Sequence, residues 1–210
     1  MLAPFRVAIS GGYQLDLIRD PQTETERVRT LGRSATQIQL GLGSDSPALV
    51  SAALGMLLVH ALGQNGGLLL HGAFMLRDDR AFLFLGRSGA GKSTAARNAR
   101  SLICLHDDKV AVRYVRGCWR AFGVPMLDNR GRPGKPGSAP IDGLYFVRKS
   151  DTLDLVELRG AEAVAELAEN VILPAEYRHR RVFETVMALA GEVRSSLLRF
   201  TRDSRIDSLL

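Results

Sequence analysis

Only two cysteines, Cys104 and Cys118, occur in the 210 residues, which excludes a disulfide framework, and their spacing fits no metal site. No basic leader with an apolar core opens the sequence, so both are expected to be core thiols in a reducing, cytoplasmic compartment. Aromatic residues make up 6%. That is too few to interleave with basic side chains as a stacking platform. The net charge of +6 is spread along the chain, so it reads as solvated arginine and nucleic acid is not an expected partner. No apolar run reaches the roughly twenty residues that a bilayer requires. The best approach, from Ser46-Pro47 to Leu62, contains Ser51, Gly55 and His60 and breaks at Gly63. It is expected to be a buried helix with a capping serine, proline in its first turn and a packed His60, and no membrane is expected.

What is present is an ordinary globular composition, 46% hydrophobic and 24% charged, which suits one core with a short appendage. Residues 1–45 are expected to form a strand-rich N-terminal flap and 46–210 the main domain. Phe5 to Ile9 alternates like a strand stopped by Gly11-Gly12, and weaker strands are expected around 13–18 and 36–42. The polar segment from Asp20-Pro21 to Arg33 reads as a loop or short helix.

The most informative stretch is Phe82-Leu83-Phe84-Leu85 followed by Gly86-Arg87-Ser88-Gly89-Ala90-Gly91-Lys92-Ser93-Thr94. An apolar strand, a glycine-rich turn, a lysine and two hydroxyls match the Walker A pattern of a phosphate-binding loop. Glycine lets backbone N–H groups converge on an anion, Lys92 adds a mobile positive charge, and Ser93 would hold the magnesium of a nucleotide. ATP and Mg2+ are therefore the expected cofactors.

The strand before this loop is the second arm of a hairpin, because only Arg77-Asp78-Asp79-Arg80 separates it from the strand 68–76. Four residues cannot supply the crossover that parallel neighbours require, so an antiparallel or mixed sheet follows. After a helix from Lys92 to about Ser101, the apolar strand Leu102 to Leu105 runs into His106-Asp107-Asp108. A carboxylate at such a strand end can hold magnesium or take the proton of an attacking hydroxyl. Adjacent strand residues point to opposite faces, so one aspartate would face the loop unless a bulge turns both inward. Spacing alone leaves His71 open between a strand-face residue and a site residue. Val110 to Val115 and Cys118 to Phe122 form a further hairpin around Arg116-Gly117.

The order His71-Gly72, hairpin, Gly86 to Thr94, helix, Asp107-Asp108, hairpin resembles the catalytic domain of bacterial HPr serine kinase/phosphorylase. The resemblance covers roughly 67–122. It implies an α/β fold with a mixed, largely antiparallel sheet, a P-loop and flanking helices, akin to phosphoenolpyruvate carboxykinase. It also implies roles: Asp107 as the base, Asp108 on magnesium with Ser93, and His71 and Lys92 beside the transferred phosphate. The place of that family's second magnesium-binding glutamate reads Gly123-Val124-Pro125-Met126, so the chain is closer to compact HPr-kinase-like proteins, some of which phosphorylate a peptide serine. The implied function is an ATP-dependent kinase acting on a Ser or Thr hydroxyl of a peptide or protein, with homo-oligomerisation open. Its rivals are a small-molecule kinase and a nucleotide-dependent binding protein without transferase activity.

Residues 127–140, rich in proline, glycine and basic side chains, are expected to lack regular structure. They read either as a solvated basic loop or as a lid whose Arg130, Arg132 or Lys135 meets phosphate charge. Leu144 to Val147 and Leu153 to Leu158 are expected to pair as a hairpin. Helices at about 160–171 and 175–190 would be separated at Pro174, the second ended by Gly191. Leu197 to Thr201 would return as an edge strand, and Arg178 to Arg181 would be a charged helix face.

Overall fold

The computed structural model describes residues 5–9, 13–19, 25–31, 37–41, 47–128, 130–173 and 180–210. Gly11-Gly12, Ser46, Pro174, Arg178 and His179 lie outside the described residues. The chain divides into two compact units, Met1–Leu57 and Leu58–Leu210. In the first, β1 (Phe5–Ile9), β2 (Tyr13–Arg19), β3 (Thr25–Leu31) and β4 (Gln37–Gly41) pair in sequence order as an antiparallel meander. β3 corrects the expectation of a loop or short helix there. Its polar sequence hides the strand signal, but Thr and Val favour an extended backbone and a partner strand on each side completes its ladder. α1 (Pro47–Gln64) follows and runs across the division between the units. Among the described residues, no helix is long and apolar enough to cross a membrane.

The second unit continues with β5 (Gly67–Arg77), β6 (Arg80–Leu85), α2 (Lys92–Asn98), β7 (Ile103–His106), β8 (Lys109–Val115) and β9 (Cys118–Phe122). β10 (Ser138–Lys149), β11 (Asp154–Leu158), α3 (Ala161–Ala168), α4 (Arg180–Glu192) and β12 (Ser195–Phe200) complete it, with a 3-10 turn at Ile206–Leu209. The result is a mixed α/β unit with a largely antiparallel sheet in the order β11-β12-β10-β6-β5-β8-β9, and β7 added to β5.

β5 and β6 pair antiparallel with Arg77 opposite Arg80. The two residues between them, Asp78 (φ 49°) and Asp79 (φ 57°), are both left-handed, as a two-residue turn matching the strand twist requires. Arg116 and Gly117 repeat this between β8 and β9. β10 begins at Ser138, inside the segment expected to be irregular. Its first residues pair with β9, and from Ile141 onward it runs parallel to β6 after a register shift. The pairings thus close a ring through β6, β5, β8, β9 and β10.

The expected hairpin between 144–147 and 153–158 does not form. β12 lies between β10 and β11, parallel to the first and antiparallel to the second, and is therefore no edge strand. Burial explains the order: β12 is buried along nearly its whole length, as a central strand must be, whereas β11 exposes Val156 and takes the edge. Gly191 does not end α4, which runs on to Glu192. Arg180 pairs with Glu184 at 2.6 Å, and Arg181 donates to the Gln64 carbonyl. Cys104 and Cys118 are free and half-buried rather than core thiols. Cys104 stands on the short strand β7, and Cys118 follows a surface turn.

Alternation sorts the core into layers. Leu68, Leu70, Phe74, Leu83, Leu85, Leu144 and Phe146 pack with Leu167 of α3 and with Val182, Val186 and Leu189 of α4. Ala73, Met75, Phe82, Phe84, Tyr145, Val147, Leu198 and Phe200 pack with Ala95 of α2 and with Ala99 just after it. Strands covered on both faces read as continuous apolar runs. β6 leaves the sheet at Leu85, opposite Gly72, and the adjoining edge of β5 is taken by 170–172. There the His71 N–H donates to the Asn170 carbonyl and the Ile172 N–H to that of Leu69, both at 2.8 Å.

A methyl group at Gly72 would stand 2.4 Å from Leu85 Cδ2 and 3.0 Å from the Phe84 carbonyl oxygen. Leu85 is fully buried and has no space into which to retreat. Gly72→Ala is expected to lower stability by about 1–3 kcal/mol, read as a lower urea midpoint at unchanged slope. An unchanged midpoint would show that this edge of the sheet repacks freely.

Candidate functional site

The glycine-rich turn leaves β6 at Gly86 and enters α2 at Lys92. The Ala90 N–H closes it on the Arg87 carbonyl at 3.1 Å. Gly89 (φ 82°) and Gly91 (φ 104°) are left-handed, and a Cβ at Gly91 would lie 2.8 Å from the Phe200 ring. Glycine is required there on both counts. Lys92 is only 7% exposed and donates to the carbonyls of Gly86 at 2.6 Å and Arg87 at 3.1 Å. Burial pushes its ammonium pKa down, while the negative charges of Asp108 and Asp107 push it up. Both acids therefore act on the lysine of the loop. Arg87 and Ser88 are exposed, and the Arg87 side chain pairs with Glu169 at 3.1 Å. The Thr94 hydroxyl accepts from Arg97, and Ser93 is half-buried at the first turn of α2.

The acid pair is not held in a flat strand. Asp107 and Asp108 form the bend that joins β7 to β8, and a buried histidine shapes it. His106 Nδ1 accepts the backbone N–H groups of Asp108 at 3.1 Å and Lys109 at 3.0 Å, while Nε2 reaches the Met126 carbonyl at 3.0 Å. With Nδ1 accepting, the ring hydrogen belongs on Nε2. The Asp108 carbonyl receives the Gly72 N–H at 3.0 Å, which ties the bend to the strand carrying His71.

Asp108 is 4% exposed. Its Oδ1 lies 3.1 Å from His71 Nε2, and its Oδ2 is bonded by Lys109 Nζ. Burial alone would raise its pKa, but the bonds from His71 and Lys109 outweigh that and hold it well below the usual carboxylate range. Asp107 Oδ2 meets Arg132 Nη2 at 3.0 Å. Of the residues expected on sequence grounds, His71 and Asp108 are thus in direct contact, and the charges of Asp107 and Asp108 both act on Lys92.

Residues 123–128 and 130–137 are held by hydrogen bonds among themselves and to the bend. Leu127 bridges Pro133, and the Asp128 N–H donates to the Arg132 carbonyl. Asp128 Oδ1 accepts the N–H groups of Arg130 and Arg132 at 2.8 Å each. Burial would raise the Asp128 pKa, but these bonds and the Arg132 guanidinium lower it to about 2. The Lys135 N–H donates to the Leu105 carbonyl, and Lys109 Nζ to that of Leu127. A Cβ at Gly134 would stand 2.1 Å from the Val124 oxygen and 2.3 Å from His106 Cδ2. The loop is packed against the bend itself.

Lys109, His106 and Asp128 are the site residues that the sequence reading missed. Asp128 has a signal, an aspartate opening a turn ahead of Arg130-Gly131. His106 and Lys109 have none, because their bonds to the Met126 and Leu127 carbonyls, which dock the loop, join backbone groups about twenty residues away.

No protein-family model matches the chain, and no curated protein does. Among solved structures it is similar to the Hpr(Ser) kinase/phosphatase from Coxiella burnetii, with 13% identity, 67% of this chain and 89% of that chain covered, and a TM-score of 0.34.

The depressed Asp108 pKa fixes a sign. A carboxylate stabilised in its charged form contributes stability above its unfolded pKa, near 4, and loses it as pH falls through the lower folded value. Unfolding free energy of the native protein is expected to fall on acidification below about pH 4. Asp108→Asn should be less stable at pH 7 and flatter over the acid range, as chemical denaturation across pH would measure. Parallel profiles would remove the claim that this carboxylate is held charged by its neighbours.

Proposed function

We propose that this chain is an ATP- and magnesium-dependent phosphotransferase that passes the γ-phosphate to a serine or threonine hydroxyl of a peptide or protein. The observation that carries the reading is a glycine-rich loop whose buried Lys92 feels the negative charges of Asp107 and Asp108, with Asp108 held by His71 and Lys109. A cation that can be redirected to phosphate stands beside a carboxylate that can take a proton, which is the arrangement phosphoryl transfer asks for.

In this reading Lys92 turns from its own loop carbonyls to phosphate oxygens, and the loop N–H groups complete the cradle. The acceptor oxygen forms a bond to the γ-phosphorus while the bond to the ADP oxygen breaks. The hydroxyl proton goes to Asp107, and ADP leaves with the negative charge. Ser93 and Asp108 offer hard oxygen donors that fit magnesium. Among the described residues no group of three His, Cys, Asp or Glu could cage an ion, which suits a cation arriving on the nucleotide's phosphates. When bound, magnesium supplies neutralisation of the phosphate charge. His71 and Lys109 keep Asp108 ionised, and His71, 28% exposed in its side chain, would lie beside the transferred phosphate.

The pairing of Asp107 with Arg132 favours a second reading, a nucleotide-dependent binding protein without transfer, since one oxygen of that carboxylate is already engaged by a guanidinium and not free for a hydroxyl. Asp107→Asn separates the two. If Asp107 is the base, Mg-ATP should still bind while transfer to a serine peptide drops by about a hundredfold or more. Equal transfer by both proteins would reject the base. Tight binding with no labelling of any acceptor across a broad screen would favour the second reading.

Lys92→Ala addresses the loop itself. Because Lys92 serves ligand charge, the variant is expected to lose most of its ATP affinity by calorimetry while unfolding cooperatively like the native protein. Full retention of ATP binding would remove the phosphate-binding role.

A further inference from the structure

Arg132 is the most deliberately placed cation in the second unit. Its Nη2 is shared between Asp107 Oδ2 at 3.0 Å and Asp128 Oδ2 at 2.7 Å, and its Nε donates to Asp128 Oδ2 at 2.8 Å. Asp128 is itself fixed by two backbone N–H groups of the same loop. Two edges of the guanidinium are therefore held, and its side chain remains 58% exposed. The Nη1 edge bonds no described residue. An arginine anchored through Nε and Nη2 presents the two N–H groups of Nη1 to an oxyanion at little entropic cost.

Asp107 connects this fork to the glycine-rich loop. One of its oxygens meets Arg132, and its charge also reaches Lys92. Arg132 is paired with Asp107, and the charge of Asp107 also acts on Lys92, so one carboxylate links a cation on the loop after β9 with one at the start of α2. An anion seated beside Lys92 and reaching toward Asp107 would meet the open edge of Arg132. Of a nucleotide's phosphates, the terminal one, where the acceptor and the base Asp107 would meet, is the one placed to do so in that reading.

We propose that Arg132 contacts the terminal phosphate of a nucleoside triphosphate, and that Asp128 is the positioning residue that aims it. The inference rests on the ATP-binding reading above and adds a discrimination between triphosphate and diphosphate. Asp128 touches no ligand in this account. It acts by denying Arg132 other orientations.

The test is calorimetric titration of Mg-ATP and of Mg-ADP into the full chain and its variants, which needs no phosphate acceptor. Arg132→Met is expected to weaken Mg-ATP by about tenfold or more and Mg-ADP by less than about twofold. Asp128→Asn should shift the same ratio in the same direction, by less. Arg130→Met removes an exposed cation from the same loop and should leave the ratio alone. Lys92→Ala should weaken both nucleotides. If Arg132→Met unfolds, Arg132→Lys decides, since it keeps the charge without the fork and should lose affinity for Mg-ATP alone. Equal effects on both nucleotides, or none, would overturn Arg132 as a terminal-phosphate contact while leaving the loop intact. Failure of the native protein to bind either nucleotide would instead remove the loop reading and this inference with it.

Discussion

The structure of the site depends on keeping one carboxylate charged in a place where water barely reaches. Asp108 is 4% exposed, and an isolated ion there would cost far more than any single contact returns. The cost is met by partners drawn from separate strands: His71 of β5 on one oxygen and Lys109 of β8 on the other. Those partners face each other in the β5–β8 ladder, so the pairing register of the sheet and the satisfaction of the acid are one requirement. A slip of one residue would turn His71 to the opposite face and leave a buried charge without its partner.

The same economy extends outward. His106 spends its ring on three backbone groups, which bends the chain at the acids and docks the 123–137 loop through Met126. Lys109 serves both Asp108 and the Leu127 carbonyl. Glycine at 134 lets the loop approach the imidazole so closely that no side chain could intervene. Acid, histidine and loop are packed as one body, and the exposed guanidinium of Arg132 is its outer surface.

Much of this was legible in the sequence, for reasons that can be named. The β5–β6 hairpin follows from the shortness of its turn, since no crossover fits in so few residues. The glycine-rich turn is legible because left-handed backbone at Gly89 and Gly91 demands that residue type. The acids were located by the end of an apolar run. Strand order was harder: β10 and β11 are neighbours in sequence, and a hairpin is the economical guess. Their burial told otherwise, because a run like Leu197-Leu198 between Ser196 and Arg199 belongs inside a sheet and the half-polar β11 belongs at its rim. β3 was hidden by its charges, and β10's early start by Pro140 and the glycines before it. The docking roles of His106 and Lys109 were illegible, because a side chain bonded to the distant Met126 or Leu127 carbonyl leaves no local pattern.

Lys92 shows why the cluster has to be treated as a unit. Desolvation disfavours its charge and lowers its pKa, and the two aspartates offset part of that effect. Its own loop carbonyls meanwhile satisfy the ammonium at 2.6 and 3.1 Å. The carbonyl bonds are neutral, whereas phosphate would offer charge-assisted ones, about twice as strong, so an anionic ligand competes well for the lysine. Drawing Lys92 toward such a ligand also changes the field at Asp107, and Asp107 in turn holds Arg132. Cation, acid and second cation form a chain in which each link sets the charge environment of the next. Substitutions within it are therefore expected to be non-additive, and the loop after β9 belongs to the same electrostatic assembly as the glycine-rich turn, although the sequence sets them some forty residues apart.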